Sequence, residues 1–251
     1  MNAADFLKKH KKILIPAAAA VLLLVLWGYC LLFFQKGIYF EGAFLKREAV
    51  SGGYEYSGEA YGRAVKIALS GDIGAKGRAA LSVSVGGLEE ESFTVESSGE
   101  EDIGKRVKLY RKESEEEVAP LFDGYYLPAG DYLSLYDKNG GPVPVDIRVT
   151  VNGQSPFTAG YETDKAFVVR TAFGDNTEIR GNWAFFIMAL LLAAFLAVDL
   201  RFPRLFFTLR HFLTVENPEP SDFFLTTQII SWILLPFVIA GLLIAGLAVP
   251  A

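Results

Sequence analysis

The sequence predicts a membrane protein with three transmembrane α-helices and an extracytoplasmic, all-β antiparallel sandwich inserted between helices 1 and 2. Three observations carry this reading. Ile13 to Phe34 is a run without a formal charge, Trp183 to Val198 and Ile229 to Val249 are two further apolar runs, and the polar stretch between them alternates apolar residues with period two. An α-helix rises about 1.5 Å per residue, so roughly 20 apolar residues cover a hydrocarbon core about 30 Å thick.

Residues 1–12 form the N-terminal flank, in which Lys8, Lys9, Lys11 and Lys12 precede the first run. Residues 13–34 are transmembrane helix 1. The run closes on Trp27, Tyr29, Phe33 and Phe34, where a signal peptidase requires small residues, so it reads as a retained anchor. Cys30 has Trp27 and Tyr29 before it, not the small residues of a lipoprotein signal, and reads as an in-membrane thiol.

Residues 35–182 are the sandwich. They hold 17 basic and 24 acidic residues, and no cysteine. The acidic balance excludes nucleic acid as a partner, because phosphate binding needs a basic patch. An exported domain without disulfides fits a bacterial surface better than a eukaryotic secretory route. Gly37 to Val50 reads as a first, aromatic-rich strand, and Tyr54 and Tyr56 share one face of the next. Val65, Ile67 and Leu69, then Leu81, Val83 and Val85, alternate with small or polar residues, which puts one face of a sheet in a core. Gly86-Gly87 turns the chain toward Phe93 and Val95, and Val107 to Arg111 follows a polar stretch. Glu113, Glu115, Glu116 and Glu117 read as a solvated loop. Asn139-Gly140 supplies the turn of a hairpin between Tyr132–Tyr136 and Val143–Val151, and Phe167 to Thr171 is the last strand. Eight or nine short strands with no helix among them imply the sandwich.

Residues 183–200 are helix 2, with Asp199 at headgroup level beside Arg201. Residues 201–228 form a loop whose aromatic and basic first half suits the membrane interface, and 229–249 are helix 3. Gly241 and Ala245 offer a small face for close helix packing. Lysine and arginine mark the cytoplasmic side, so the N-terminus and the 201–228 loop, with Arg201, Arg204 and Arg210, lie inside. Residues 35–182 then lie outside the cell membrane.

Chemistry is constrained by what that exterior lacks. Both histidines, His10 and His211, and the single cysteine fall elsewhere, so a Ser-His-Asp triad, a thiol nucleophile and a typical zinc site are excluded there. No cofactor and no metal is implied. Asp137-Lys138-Asn139-Gly140 has the start of a calcium loop, but Gly141 takes the next ligand position, so a turn accounts for it. Tyr125, Tyr126, Tyr132 and Tyr136 form a possible ligand surface, against the alternative of cross-strand packing. In the loop, Glu219, Pro220, Ser221 and Asp222 form a motif in which Ser221 or Asp222 can cap helix 3.

Glu219-Pro220-Ser221-Asp222, preceded by Leu209-Arg210-His211-Phe212 and followed by Gln228-Ile229-Ile230, resembles a two-helix hairpin of uncharacterised bacterial membrane proteins. The resemblance covers Trp183 to Leu247; Trp232 stands where that pattern has a glycine. It implies topology and no activity. Leu127 to Leu135 resembles, over nine residues, the lead-in to a strand in bacterial accessory β-sandwich domains.

Together these readings lead to a non-enzymatic bacterial membrane protein that displays a β-sandwich for binding a partner or ligand. Its partners are membrane lipid and a protein of the membrane or envelope. Two alternatives stay open: an accessory subunit of a transport or export complex, and a surface hydrolase working through paired carboxylates.

Overall fold

The computed structural model describes residues 20, 23–74, 76–101, 103–111, 119–128, 134–144, 154–211 and 221–249. The chain divides into two compact units, Gln35–Ile179 and the remainder, 1–34 with 180–251.

In the first unit, short turns join strands that pair with their sequence neighbours. β1 (Lys36–Phe40), β2 (Ala43–Val50), β3 (Gly53–Ala60), β4 (Arg63–Asp72), β5 (Gly77–Val85), β6 (Glu91–Glu101), β7 (Gly104–Arg111), β8 (Phe122–Tyr126) and β9 (Leu135–Asp137) run as an antiparallel meander. A last strand, β10 (Glu178–Ile179), adds to the free edge of β1. The expected single strand Gly37 to Val50 is a hairpin. Glu41 and Gly42 take φ of 47° and 79°, and Tyr61 and Gly62 do the same between β3 and β4 with 51° and 74°. Two successive positive φ angles match the right-handed strand twist and fold the chain back in two residues.

The period-two residues all face one way. Tyr56, Ile67 and Val83 are in register across β3, β4 and β5, and Ala79, Val95, Leu109 and Phe122 across β5 to β8. All are buried. This is one continuous sheet, so the two-sheet sandwich is corrected: alternation reports which face is buried, and a sheet that curls on itself buries a face as well as two stacked sheets do.

What fills the curl is a helix. Phe167 to Thr171, expected as a strand, belongs to helix α2 (Lys165–Phe173). The Asp164 side chain accepts from Ala166 N at 3.2 Å, and Gly174 closes the helix with φ 73°, its N–H donating to Thr171 O. Adjacent Val168 and Val169 are both fully buried, which a half-wet strand cannot arrange and a helix surrounded by sheet can. The ring of Phe167 lies 5.0 Å from Phe40 on β1, that of Phe173 lies 4.9 Å from Tyr126 on β8, and α2 also packs on β5 and β6. Ten flat strands would be about 43 Å across against a helix about 10 Å wide, so contacts to β1, β5, β6 and β8 require the sheet to wrap around α2.

The second unit contains α1 (Leu23–Phe33), α3 (Trp183–Arg201), α4 (Leu205–His211) and α5 (Asp222–Ala248). Among the described residues two helices, α3 and α5, are long and apolar enough to cross a membrane, where the sequence predicts three. Of the first run, residues 13–19, 21 and 22 lie outside the described residues. α5 begins at Asp222, ahead of the expected Ile229, because Ser221 caps it: its hydroxyl accepts from Phe224 N at 3.3 Å.

The end of α1 meets the start of α3 through rings. Phe33 lies 5.1 Å from both Trp183 and Phe186, and Tyr29 lies 6.2 Å from Phe186. Gly181 N donates to Phe33 O, and a Cβ at Gly181 would stand 2.1 Å from the Phe33 ring, so only glycine admits that approach. The end of α5 joins them where Asn182 N donates to Gly246 O at 2.8 Å. Gly246, not the expected Gly241, is the close-packing glycine; Gly241 meets nothing within 4 Å. At the opposite end α4 folds back, stacking Phe206 on Phe195 of α3 and setting Phe207 against Phe224 of α5.

Candidate functional site

The wrap has two ends, and α2 runs from one to the other. At the end where α2 stops, two inner-face positions carry cations. Arg47 lies opposite Tyr56 in the β2–β3 register, and Lys105 lies opposite Tyr126 in the β7–β8 register. They line a cavity of about 430 Å³ together with Tyr54, Tyr56, Leu69, Phe173 and Thr177. The Arg47 guanidinium lies 4.6 Å from the centre of the Tyr54 ring, and the Lys105 ammonium lies 4.5 Å from that of Phe173. A ring face attracts a cation without cancelling its charge. Among the described residues neither cation makes an ion pair. The Thr177 hydroxyl on the same wall is buried without a hydrogen-bond partner among the described residues.

The end where α2 starts is built differently. Its cavity, about 450 Å³, is lined by Glu89, Glu91, Arg111, Tyr161 and Glu162 among others; its one lining cation, Arg111, is paired with acids of the same wall, and Glu89 is an exposed carboxylate. Arg111 donates to Glu91 and, at 3.1 Å, to Glu162; Glu91 also accepts from Thr163 N at 2.9 Å and from the Thr163 hydroxyl. Tyr161 donates to Glu41 at 2.9 Å, and Phe157 and Tyr161 pack their rings 4.9 Å apart under this end. Arg111 and Glu91 are thus held in contacts that tie β6 and β7 to the segment leading into α2.

The predicted tyrosine surface divides between the two faces of the sheet. Tyr126 is inward and fully buried, stacked on Phe173, with its hydroxyl donating to Asp175 at 2.7 Å. Burial raises its phenol well above the ordinary value, and the bond to Asp175 raises it further. Tyr125 and Tyr136 are cross-strand partners on the other face. Tyr125 donates to Glu101 at 2.9 Å beneath the Arg106 guanidinium. Asp123, on the same face, is held by Arg106 and by Lys138 at 2.8 Å. Burial pushes the Asp123 carboxyl up, but Lys138 and Arg106 outweigh it and hold it below the usual range. Tyr132 lies outside the described residues, as do Glu113 to Glu117 and most of the expected Val143–Val151 strand. Around Asn139-Gly140 the Asp137 carboxylate accepts from Asn139 N and Gly141 N, both at 2.8 Å, which closes a turn. Among the described residues no group of three or more His, Cys, Asp or Glu could hold a metal ion.

The helical unit has a polar cluster of its own. Asp199, near the end of α3, is buried, and both carboxylate oxygens are taken from α5: Gln228 Nε2 donates to Oδ1 at 2.9 Å and Trp232 Nε1 to Oδ2 at 2.6 Å. Gln228 also donates to Pro203 O at 2.7 Å, tying the turn after α3 to the same point. Trp232 thus supplies a donor where the resembled hairpin has a glycine. Of the loop motif, Glu219 and Pro220 lie outside the described residues, Ser221 is the cap, and Asp222 opens α5.

Sequence reasoning missed Arg47 and Lys105, and it named Asp199, Gln228 and Trp232 without the contact that joins them. The signals were present. Arg47 sits two residues after Leu45 and Lys105 two before Val107, at apolar-face positions, and Gln228 and Trp232 are one helical turn apart.

Residues 188–248 match a family of unknown function (DUF6199). The matched stretch takes in Asp199, Gln228, Trp232 and Glu219 to Asp222, and its description attaches no role to them; Leu127 to Leu135 lies outside it. No curated protein and no solved structure matches the chain.

Proposed function

We propose that the chain is a non-enzymatic, membrane-anchored binding protein of the bacterial cell membrane. Its β unit offers the cavity at the end of α2 to a ligand or envelope partner on the extracytoplasmic side. The observation that carries this is the contrast between the two ends of the wrap: at one the lining cation, Arg111, is paired with Glu91 and Glu162, while the other is lined by Arg47 and Lys105 with no ion-pair partner among the described residues. Pockets that bind ligands are concave and largely apolar, with a few convergent polar groups. At the opposite end Arg111 holds Glu91 and Glu162 as ion pairs, which disfavours those two as a catalytic carboxylate pair.

Anchoring is supported by α3 and α5, on which Leu191, Phe237 and Ile244 are 65%, 72% and 69% exposed. Outward apolar surface on that scale suits lipid contact. The basic flanks with Arg201 and Arg204 set their side inward.

A photo-crosslinking residue at Tyr54 on the cavity wall, compared with one at Tyr125 on the outer face, tests the binding reading in living cells. Adducts from position 54 and not from 125 are expected; equal labelling, or none, overturns it. In a Cys30→Ala background, Ser84→Cys is expected to react with an impermeant maleimide on intact cells and Ser221→Cys only after permeabilisation. The reverse pattern overturns the orientation.

A further inference from the structure

Resting on that reading of the cavity, we infer that its ligand joins an anionic group, a carboxylate or phosphate, to an apolar or ring-shaped body. The cations and the rings alternate around one space: Arg47 on Tyr54, Lys105 on Phe173, with Leu69 and Ile73 as apolar wall. Each cation is positioned by an aromatic face, which orients it and leaves its N–H donors free to meet a charge. A guanidinium presents a planar fork to a carboxylate or phosphate, and an ammonium adds a compact second charge.

Lys105 is not there to complete α2. The last turn of that helix is satisfied by its own chain: Gly174 N donates to Thr171 O and Asp175 N to Arg170 O, both at 3.1 Å. Asp175, two residues past α2, accepts from Tyr126 and makes no ion pair with Lys105 among the described residues. The Thr177 hydroxyl is a further donor with no assigned acceptor among the described residues. Two cations without an ion pair and one hydroxyl without a partner among the described residues, on a wall of rings, constitute a receptor for an acid with an apolar body. A cationic ligand would meet like charge, and a neutral one would leave both cations unanswered.

The test uses the full chain in phosphatidylcholine nanodiscs, with phenyl phosphate, benzoate, benzyl alcohol and benzylammonium as probes, read by saturation-transfer NMR and by calorimetry. The two anions are expected to bind at least tenfold tighter than benzyl alcohol, and benzylammonium not at all. Arg47→Gln or Lys105→Gln is expected to weaken the anions about tenfold and the pair about a hundredfold, with benzyl alcohol unchanged. Far-UV circular dichroism and unfolding midpoints matching the parent establish that the variants are folded. Benzyl alcohol binding as tightly as the anions overturns the anionic assignment while leaving the cavity a binding site; no binding by any probe overturns both. Repeating the titration in discs containing phosphatidylglycerol distinguishes the source of the anion. Competition by the lipid supports the assignment with a headgroup as ligand, and its absence supports it with a soluble acid.

Discussion

Tyr126→Phe removes one hydroxyl from the junction of β8 and α2 and leaves the stacked ring in place. The ring stays on Phe173 at 4.9 Å, so no cavity opens; what is lost is the 2.7 Å bond to Asp175. A hydrogen bond to a charged group contributes about 1.5–3 kcal/mol, but Asp175 is exposed and regains water when its partner goes. The cost therefore falls at or below the bottom of that range, about 1–1.5 kcal/mol, equivalent to roughly 2–6 °C in Tm for a unit of about 150 residues. A pH signature accompanies it. The folded phenol is raised above its unfolded value of about 10, so its contribution is complete below pH 10 and drains away as pH rises from there toward the folded value. Parent protein should lose stability above pH 10 more steeply than Tyr126→Phe. The assay is thermal unfolding of the full chain in nanodiscs, followed by circular dichroism from pH 7 to 11. Equal midpoints at pH 7, or parallel alkaline losses, would refute the role given to this hydroxyl.

Asp123, held below the usual carboxylate range, contributes stability that is present above its unfolded value near 4 and is lost as pH falls through the folded one. Asp123→Asn should be less stable at pH 7 and flatter between pH 4 and 2 in urea titrations; a parent-like acid limb counts against the ion pairs with Arg106 and Lys138. In the helical unit, Asp199→Leu and Trp232→Phe should each weaken the α3–α5 pairing. A double-mutant cycle in SDS titration should give a coupling of about 0.6–1.7 kcal/mol, and simple additivity would mean the 2.6 Å bond contributes nothing. Gly246→Leu, whose Cβ would stand 3.3 Å from Phe185 Cβ, should lower the SDS midpoint, while Gly241→Leu leaves it unchanged; equal effects contradict the packing described.

The strands were legible because burial on one face writes itself into the sequence at every second residue, as at Val65, Ile67 and Leu69 or Leu81, Val83 and Val85. That pattern is local and cannot distinguish two stacked sheets from one sheet wrapped around a helix. The helix was hidden by its own composition: Phe167-Val168-Val169 has strand propensity, and only Asp164 and Gly174 at its two ends signal otherwise. Glu41-Gly42 escaped notice since glutamate is an uncommon residue at positive φ. At the cavity, a cation at an inner-face position is visible in the alternation, but its role depends on which strands the curl brings together. Arg47 and Lys105 are five strands apart in the order of the sheet, and no spacing in the chain encodes that meeting.

The order in which the chain is made now takes on a meaning of its own. Strands β1 to β9 all precede Lys165, so a nascent chain builds its hairpins, which need only neighbouring contacts, before the helix that fills them exists. Throughout that interval the inner face, from Ile38 to Leu135, has its apolar side chains and no cover. α2 closes it, β10 then takes up the β1 edge, and four residues after Ile179 the first spanning-length helix begins. Core completion and delivery of α3 and α5 are thus consecutive steps of synthesis. A chain stalled before α2 presents a sticky, half-built sheet to whatever chaperones attend its synthesis.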